Sequence, residues 1–238
     1  MAVTAFQSEV LKRIARSRID GGETYIAADH DCEVLKAAGY DIRVTRRRDY
    51  IVEVVASRDG DSTELQWVQD SAYRFFPLVE DELLGLTLHP FDLATNKLLA
   101  LAGRRVPRDW VDTITCAEDI QSLGLLAWAA NGKDPGLTPN YILEMCMRTT
   151  YSRPEFELAI KNAADYDVGE LSQKWHDMIW RARETVKLLP PSEVGKVVMT
   201  REGELFKGDD EALQKALADK EIVFHEGTIG GAWPVIVG

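Results

Sequence analysis

The sequence has few cysteines and no long hydrophobic run, and we expect no secretory signal. Its three cysteines show no CxxC spacing, so neither a disulfide framework nor a Cys-rich zinc site is expected. The longest apolar stretch, residues 123–130, is short, because a membrane-spanning helix needs about 20 apolar residues. Basic residues interrupt residues 1–18, where a signal peptide would need an apolar segment. We therefore expect a cytoplasmic protein with reduced thiols and no membrane partner.

Several enzyme classes are unsupported because their motifs are absent. The four histidines show neither HxxxH nor HExxH spacing, which argues against a zinc hydrolase. Ser71 and Ser122 have no GxSxG context, so an α/β-hydrolase triad is unsupported. Gly132-Lys133 lacks the preceding glycine of a P-loop and is predicted to form a turn.

The charge of the chain also restricts its partners. The 238 residues carry a formal net charge of −11, from 28 Lys and Arg against 39 Asp and Glu. A chain this acidic is not a general nucleic-acid coat, since phosphate binding needs basic surface. Arg46-Arg47-Arg48 is the one local basic candidate. It is either a solvated sheet edge that prevents pairing with other strands or a contact for an RNA backbone.

Hydrophobic periodicity predicts an α/β (α+β) protein in three parts. Residues 1–89 form a small sheet with helices, residues 90–190 are helical, and residues 191–238 form a small αβ appendage. The elements predicted in the first part are helices at 5–18 and 29–38 and strands at 42–44, 50–56 and 63–68. Gly39 is predicted to end the second helix, and residues 58–61 are predicted to form a hairpin turn. In the second part, Pro90, Pro107 and Pro139 are each predicted to begin a helix. In the appendage, a hairpin of 197–199 and 204–206 precedes a helix at 210–218 and a strand at 222–224.

The most informative stretch runs from Lys97 to Asp112. Lys97 and Arg104 are seven residues apart, which places both on one face of a helix. Asp109 and Asp112 lie at the start of the next predicted helix. In one interpretation the two cations hold a triphosphate, while Asp109 accepts a proton or holds Lys97 in place. In the other, the four residues form a salt-bridged helix corner.

A family resemblance covers roughly residues 40–190. The pattern Lys97-x-x-Ala100-Leu101-x-x-Arg104-x-x-x-Arg108-Asp109-x-x-Asp112 resembles a stretch of the AbiEii/AbiGii toxin family. These are nucleotidyltransferase-like proteins of bacterial abortive-infection and toxin–antitoxin systems. The likeness also includes Trp67, Asp70-Ser71, Arg74-Phe75-Phe76-Pro77 and His89-Pro90-x-Asp92-Leu93.

The resemblance implies both a fold and a reaction. The implied fold of residues 1–89 is a reduced nucleotidyltransferase-like mixed sheet flanked by helices. The implied reaction transfers a nucleoside monophosphate from an NTP to an RNA (such as a tRNA) or a protein acceptor, with Mg²⁺ as cofactor. A cognate antitoxin is a further expected partner. By likeness, Lys97 and Asp109 are the catalytic residues, and Arg104 and Arg108 bind substrate.

The family's pattern also contains a glycine turn and a D-x-D strand that holds Mg²⁺ on the triphosphate. Gly21-Gly22 matches the glycine turn, Asp29-His30-Asp31 matches the D-x-D pattern, and Glu64 is the candidate third carboxylate. Only six residues separate Gly22 from Asp29, too few for the usual turn, helix and strand. The alternative is a catalytically inactive, truncated relative that binds nucleotide, RNA or a protein partner. In it, Asp29 and Asp31 are surface residues at a helix start.

Overall fold

The computed structural model of the chain describes residues 7, 9–11, 24–69, 71–147 and 151–234. Over these residues the protein is a mixed α/β fold with small antiparallel sheets. It divides into two compact units. The first unit holds the described residues up to Ala72 together with Leu78–Thr87, and the second holds Tyr73–Pro77 and the described residues from Leu88 onward. None of the described helices is both long and apolar enough to span a membrane.

After the helix Thr24–Ala37 the described chain forms six strands, then a run of helices, and it returns to strands from Val197 onward. In chain order the elements are α1 (Thr24–Ala37), β1 (Asp41–Arg48), β2 (Ile51–Arg58), β3 (Asp61–Val68), β4 (Tyr73–Arg74), β5 (Val79–Asp81), β6 (Gly85–Thr87), α2 (Pro90–Arg104), α3 (Pro107–Asp119), α4 (Leu123–Lys133), α5 (Pro139–Met147), α6 (Arg153–Ala159), α7 (Val168–Leu188), β7 (Val197–Thr200), α8 (Asp210–Ala218), β8 (Ile222–His225) and β9 (Thr228–Ile229). Short 3₁₀ turns lie at Ala163–Asp165 and Pro191–Glu193.

The first unit packs helix α1 on a three-stranded antiparallel sheet of order β1-β2-β3. Alternation along β2 gives the sheet a buried face, because Val52, Val54 and Ala56 are buried and pack with Leu35 of α1. The hairpin predicted at residues 58–61 is confirmed by the pairing of β2 with β3. Its turn residues Asp59 and Gly60 have φ values of 56° and 91°, as a tight hairpin turn requires.

Helix α1 begins earlier than predicted. It starts at Thr24 rather than Asp29 and runs to Ala37, so Asp29 and Asp31 lie inside a helix and not on a strand. Gly39 follows it with a φ of 85°, the left-handed conformation predicted for the residue after a helix. Of the helix predicted at 5–18, residues 7 and 9–11 are described and are helical, and the remainder lies outside the described residues.

Helix α4 is the centre of the second unit. All residues from Leu123 to Ala130 are buried, so the helix is apolar on every side and other helices surround it. A Cβ on Gly124 would lie 2.7 Å from Cβ of Thr185, so the close approach of α7 depends on this glycine. Pro90, Pro107 and Pro139 begin their helices as predicted, because the first turn of a helix leaves its N–H groups unpaired.

The C-terminal elements belong to the same core as these helices. Val197, Val198 and Met199 of β7 are buried with the helical residues, and so is Leu213 of α8. Residues 191–234 therefore lie within the second unit rather than in a separate appendage. The predicted hairpin of 197–199 with 204–206 is present as one bridge from Met199 to Leu205, and on its other edge β7 pairs along its length with β8.

Candidate functional site

The corner between α2 and α3 brings the predicted catalytic residues together. Helix α2 ends at Arg104, and Arg105 has a left-handed φ of 52° that reverses the chain. Helix α3 begins at Pro107, only two residues later. This short connection places the first turns of α3 beside the last turns of α2.

Asp109 is the central group of the corner and is only 1% exposed. Arg104 donates to it twice, from Nε at 2.6 Å and from Nη2 at 3.1 Å. Lys97 Nζ lies 3.9 Å from Oδ1 of Asp109 and donates to Oδ2 of Asp112 at 2.7 Å. The salt-bridged geometry predicted as one interpretation is therefore present.

The ion pairs leave part of the guanidinium available to a ligand. Hydrogen bonding to Asp109 raises the pKa of Arg104, whose guanidinium is charged in any case. The carboxylate occupies two of the five N–H donors of a guanidinium. Because the Arg104 side chain is 65% exposed, the other donors face solvent. The buried Asp109 thus fixes the orientation of a cation whose outer side is open to an anion.

The local charge of the corner is opposite to that of the whole chain. Four cations lie along residues 97–108, and the two carboxylates beside them give the corner a formal charge of about +2. The cations are Lys97, Arg104, Arg105 and Arg108, of which the three arginines are exposed. A chain of net charge −11 therefore has a small electropositive site at this helix corner.

Two aromatic residues beside Asp109 were not predicted. The rings of Trp110 and Tyr151 lie 5.3 Å apart, and burial together with the charge of Asp109 raises the pKa of Tyr151. In the part of the chain that the structure describes, the Tyr151 hydroxyl and the Trp110 indole N–H are buried without a hydrogen-bond partner. Tyr151 is 42 positions from Asp109, and no local spacing connects them.

The predicted metal ligands have separate partners in the first unit. Asp29 accepts from Arg47 at 2.6 and 2.7 Å, which lowers the pKa of the aspartate. Asp31 is 5% exposed and accepts from Nε1 of Trp67 at 2.9 Å. Residues i and i+2 of a helix diverge by about 200°, whereas on a strand they point the same way. The D-x-D prediction is therefore corrected, since these carboxylates diverge on a helix.

The other residues predicted to hold Mg²⁺ or phosphate do not complete a metal site. Glu64 lies on the exposed side of β3, paired in register with Val55. Among the residues that the structure describes, no group of three or more His, Cys, Asp and Glu side chains is placed to hold a metal ion. Gly21 and Gly22 lie outside the described residues.

The motif residues Asp92 and His89, which precede Lys97 in the chain, make structural contacts. Asp92 is fully buried and accepts from the backbone N–H groups of Phe75 and Phe76 at 3.0 and 2.9 Å. Lys133 Nζ lies 2.8 Å from Oδ1 of Asp92 and is itself 6% exposed. His89 accepts from Phe91 N through Nδ1, and burial lowers the pKa of this histidine. These contacts hold the segment 73–77 against the start of α2.

Lys133 is the structural residue that the sequence interpretation missed. It was expected in a turn, whereas it is the last residue of α4. Its ammonium reaches Oδ1 of Asn96 at 2.8 Å as well as Asp92. Asp92 is 41 residues away in the sequence, so no local spacing predicts this contact. It becomes visible only in the structure, where the lysine at the end of α4 is buried.

Comparisons with protein-family models, with curated proteins and with solved structures found no match to this chain.

Proposed function

We propose that this chain binds the triphosphate of a nucleotide at the helix corner, through Lys97 and Arg104 with Arg108 beside them. The observation that supports the proposal is the buried Asp109, which orients Arg104 while leaving the outer donors of the guanidinium exposed. Arginine forks match phosphate oxygens, and lysine binds phosphate as a point charge. The resemblance to the AbiEii/AbiGii family implies nucleotide binding at these residues.

We propose that the chain binds a nucleotide but does not transfer its nucleotidyl group to an acceptor. Transfer needs carboxylates that hold Mg²⁺ on the triphosphate. Asp29 and Asp31 diverge on α1 and are engaged by Arg47 and Trp67, and Glu64 lies apart from both on β3. These three residues do not fit a magnesium site, so the inactive relative is the better supported alternative.

Calorimetry tests the proposal directly. ATP, GTP, CTP and UTP are titrated, with and without Mg²⁺, into the wild-type chain, Lys97→Ala and the control Lys161→Ala. Lys161 is an exposed lysine away from the corner in the sequence. We expect binding that does not require Mg²⁺, a loss of about tenfold or more in Lys97→Ala, and none in the control. Equal affinity in Lys97→Ala and wild type, or no binding of any nucleotide, contradicts the proposal.

A second assay separates binding from transfer. The wild-type chain and Lys97→Ala are incubated with Mg²⁺, each α-labelled NTP and total RNA or total protein. We expect no label on either acceptor. Labelling that requires Lys97 would instead favour the nucleotidyltransferase, with an RNA or protein substrate and Mg²⁺ held by carboxylates other than Asp29, Asp31 and Glu64.

A further inference from the structure

The ion pairs of the helix corner hold two cations against one carboxylate. Arg104 Nε lies 2.6 Å from Oδ2 of Asp109, and Lys97 Nζ lies 3.9 Å from Oδ1. Because both cations lie beside the same carboxylate, one chain of linked phosphate groups can reach both of them. Arg105 and Arg108 are exposed at the same turn of the chain. The corner therefore matches a ligand that carries several negative charges close together.

The aromatic residues of α2 and α3 are not available to a nucleotide base. Phe91 is 0% exposed and Trp110 is 4% exposed. The ring of Trp110 packs against those of Tyr151 and Phe156, at centroid distances of 5.3 and 6.3 Å. A base stacks on an aromatic side chain only where a face of the ring is open. Neither helix therefore offers an aromatic surface to a base.

The threonine and asparagine side chains of these two helices form hydrogen bonds within the protein. Thr95, Thr113 and Thr115 each donate the hydroxyl proton to a carbonyl oxygen of their own helix. The side-chain oxygen of Asn96 accepts from Lys133 at 2.8 Å. Recognition of a particular base needs donors and acceptors that face the edge of that base. These side chains are therefore not arranged to distinguish one base from another.

We propose that the helix corner recognises a chain of linked phosphates and leaves the nucleoside in solvent. The inference rests on the proposed function, because it names the part of the nucleotide that the corner binds. The ligand class is then a polyphosphate, either inorganic or at the end of any nucleotide. A base that stacked on an exposed guanidinium would add affinity without selectivity, since every base has a face that can stack. The affinity should therefore follow the number of phosphates and not the identity of the base.

Calorimetry with a series of ligands tests this inference on the wild-type chain in the absence of Mg²⁺. The ligands are inorganic tripolyphosphate, the four NTPs, ADP, AMP and adenosine. We expect tripolyphosphate and the four NTPs to bind with affinities within about threefold of one another. ADP should bind about tenfold more weakly than ATP, because it makes fewer charge-assisted hydrogen bonds. AMP should bind more weakly still, and adenosine should not bind.

A competition titration determines whether the two kinds of ligand share one site. ATP is titrated into wild-type chain saturated with tripolyphosphate, and we expect the heat of ATP binding to disappear. Lys97→Ala should weaken the binding of ATP and of tripolyphosphate by the same factor, about tenfold or more. The control Lys161→Ala should bind both ligands as the wild type does, and circular dichroism checks that both variants are folded.

The possible results separate this inference from the proposed function. ATP binding that requires Lys97, without any binding of tripolyphosphate, overturns this inference and leaves the proposed function standing. A preference of about tenfold or more for one NTP, or tripolyphosphate that does not displace ATP, leads to the same conclusion. Adenosine that binds as tightly as ATP, or no binding of any nucleotide, overturns both.

Discussion

Two ion pairs, one in each unit, show how differently the same chemistry is used. In the second unit Asp92 and Lys133 are 0% and 6% exposed, and the carboxylate also receives two backbone N–H groups. In the first unit the side chains of Asp29 and Arg47 are 55% and 47% exposed. Both pairs have short hydrogen bonds, yet only the buried pair lacks water as an alternative partner.

This difference identifies Asp92 as a structural residue among the motifs that resemble the AbiEii/AbiGii family. Asp92 belongs to the pattern that resembles the AbiEii/AbiGii family, but its burial and its partners show that it holds a chain segment in place. The helix corner differs from both pairs, because Asp109 is buried while Arg104 is exposed. A buried carboxylate that fixes an exposed cation leaves the other donors of that cation open, as the proposed nucleotide binding requires.

Removing the buried carboxylate should have the largest effect. Asp92→Ala leaves the Lys133 ammonium and two backbone N–H groups buried without this partner, and we expect a loss of about 3–5 kcal/mol in unfolding free energy. The matched variant Asp29→Ala should lose less than about 1 kcal/mol, because its pair is exposed. Urea unfolding followed by Trp fluorescence and circular dichroism measures both. Equal losses would remove the distinction between the two pairs.

Asp109→Asn should lie between these two results. The amide keeps the volume of the side chain but weakens the two hydrogen bonds from Arg104, whose exposed guanidinium is then solvated by water. We expect a loss of about 1–2 kcal/mol in the same unfolding assay. Asp112→Asn is the control, because Asp112 is 38% exposed and should change the free energy less. A larger loss of unfolding free energy in Asp112→Asn than in Asp109→Asn would show that Asp109 is not the central carboxylate of the corner.

The smallest expected effect is the pH dependence of the exposed pair. Arg47 lowers the pKa of Asp29 below its usual value of 3.8. The pair therefore contributes stability above the unfolded-state pKa, and this contribution is lost as the pH falls through the lowered folded-state pKa. Thermal unfolding of wild type and Asp29→Asn should differ slightly at pH 7 and converge below pH 3.8. A difference that grew on acidification would contradict the assigned pairing.

Local signals in the sequence predicted the elements and the corner but not the long-range partners. Prolines marked the starts of α2, α3 and α5, and the spacing of Lys97 and Arg104 placed both beside Asp109. The pairing of β7 with β8 was missed, because it joins strands separated by a whole helix. The predicted start of α1 at Asp29 was late, since the helix already includes residues 24–28.

The segment Tyr73–Pro77 also determines how this protein can be divided. The chain passes between the two units after Ala72, after Pro77 and after Thr87, so a single cut does not separate them. A truncated chain that began at Leu88 would lack Phe75 and Phe76, which fill the core of the second unit and donate to Asp92. A truncated protein that contains only the second unit must therefore include residues 73–77, joined to residue 88 by a new linker.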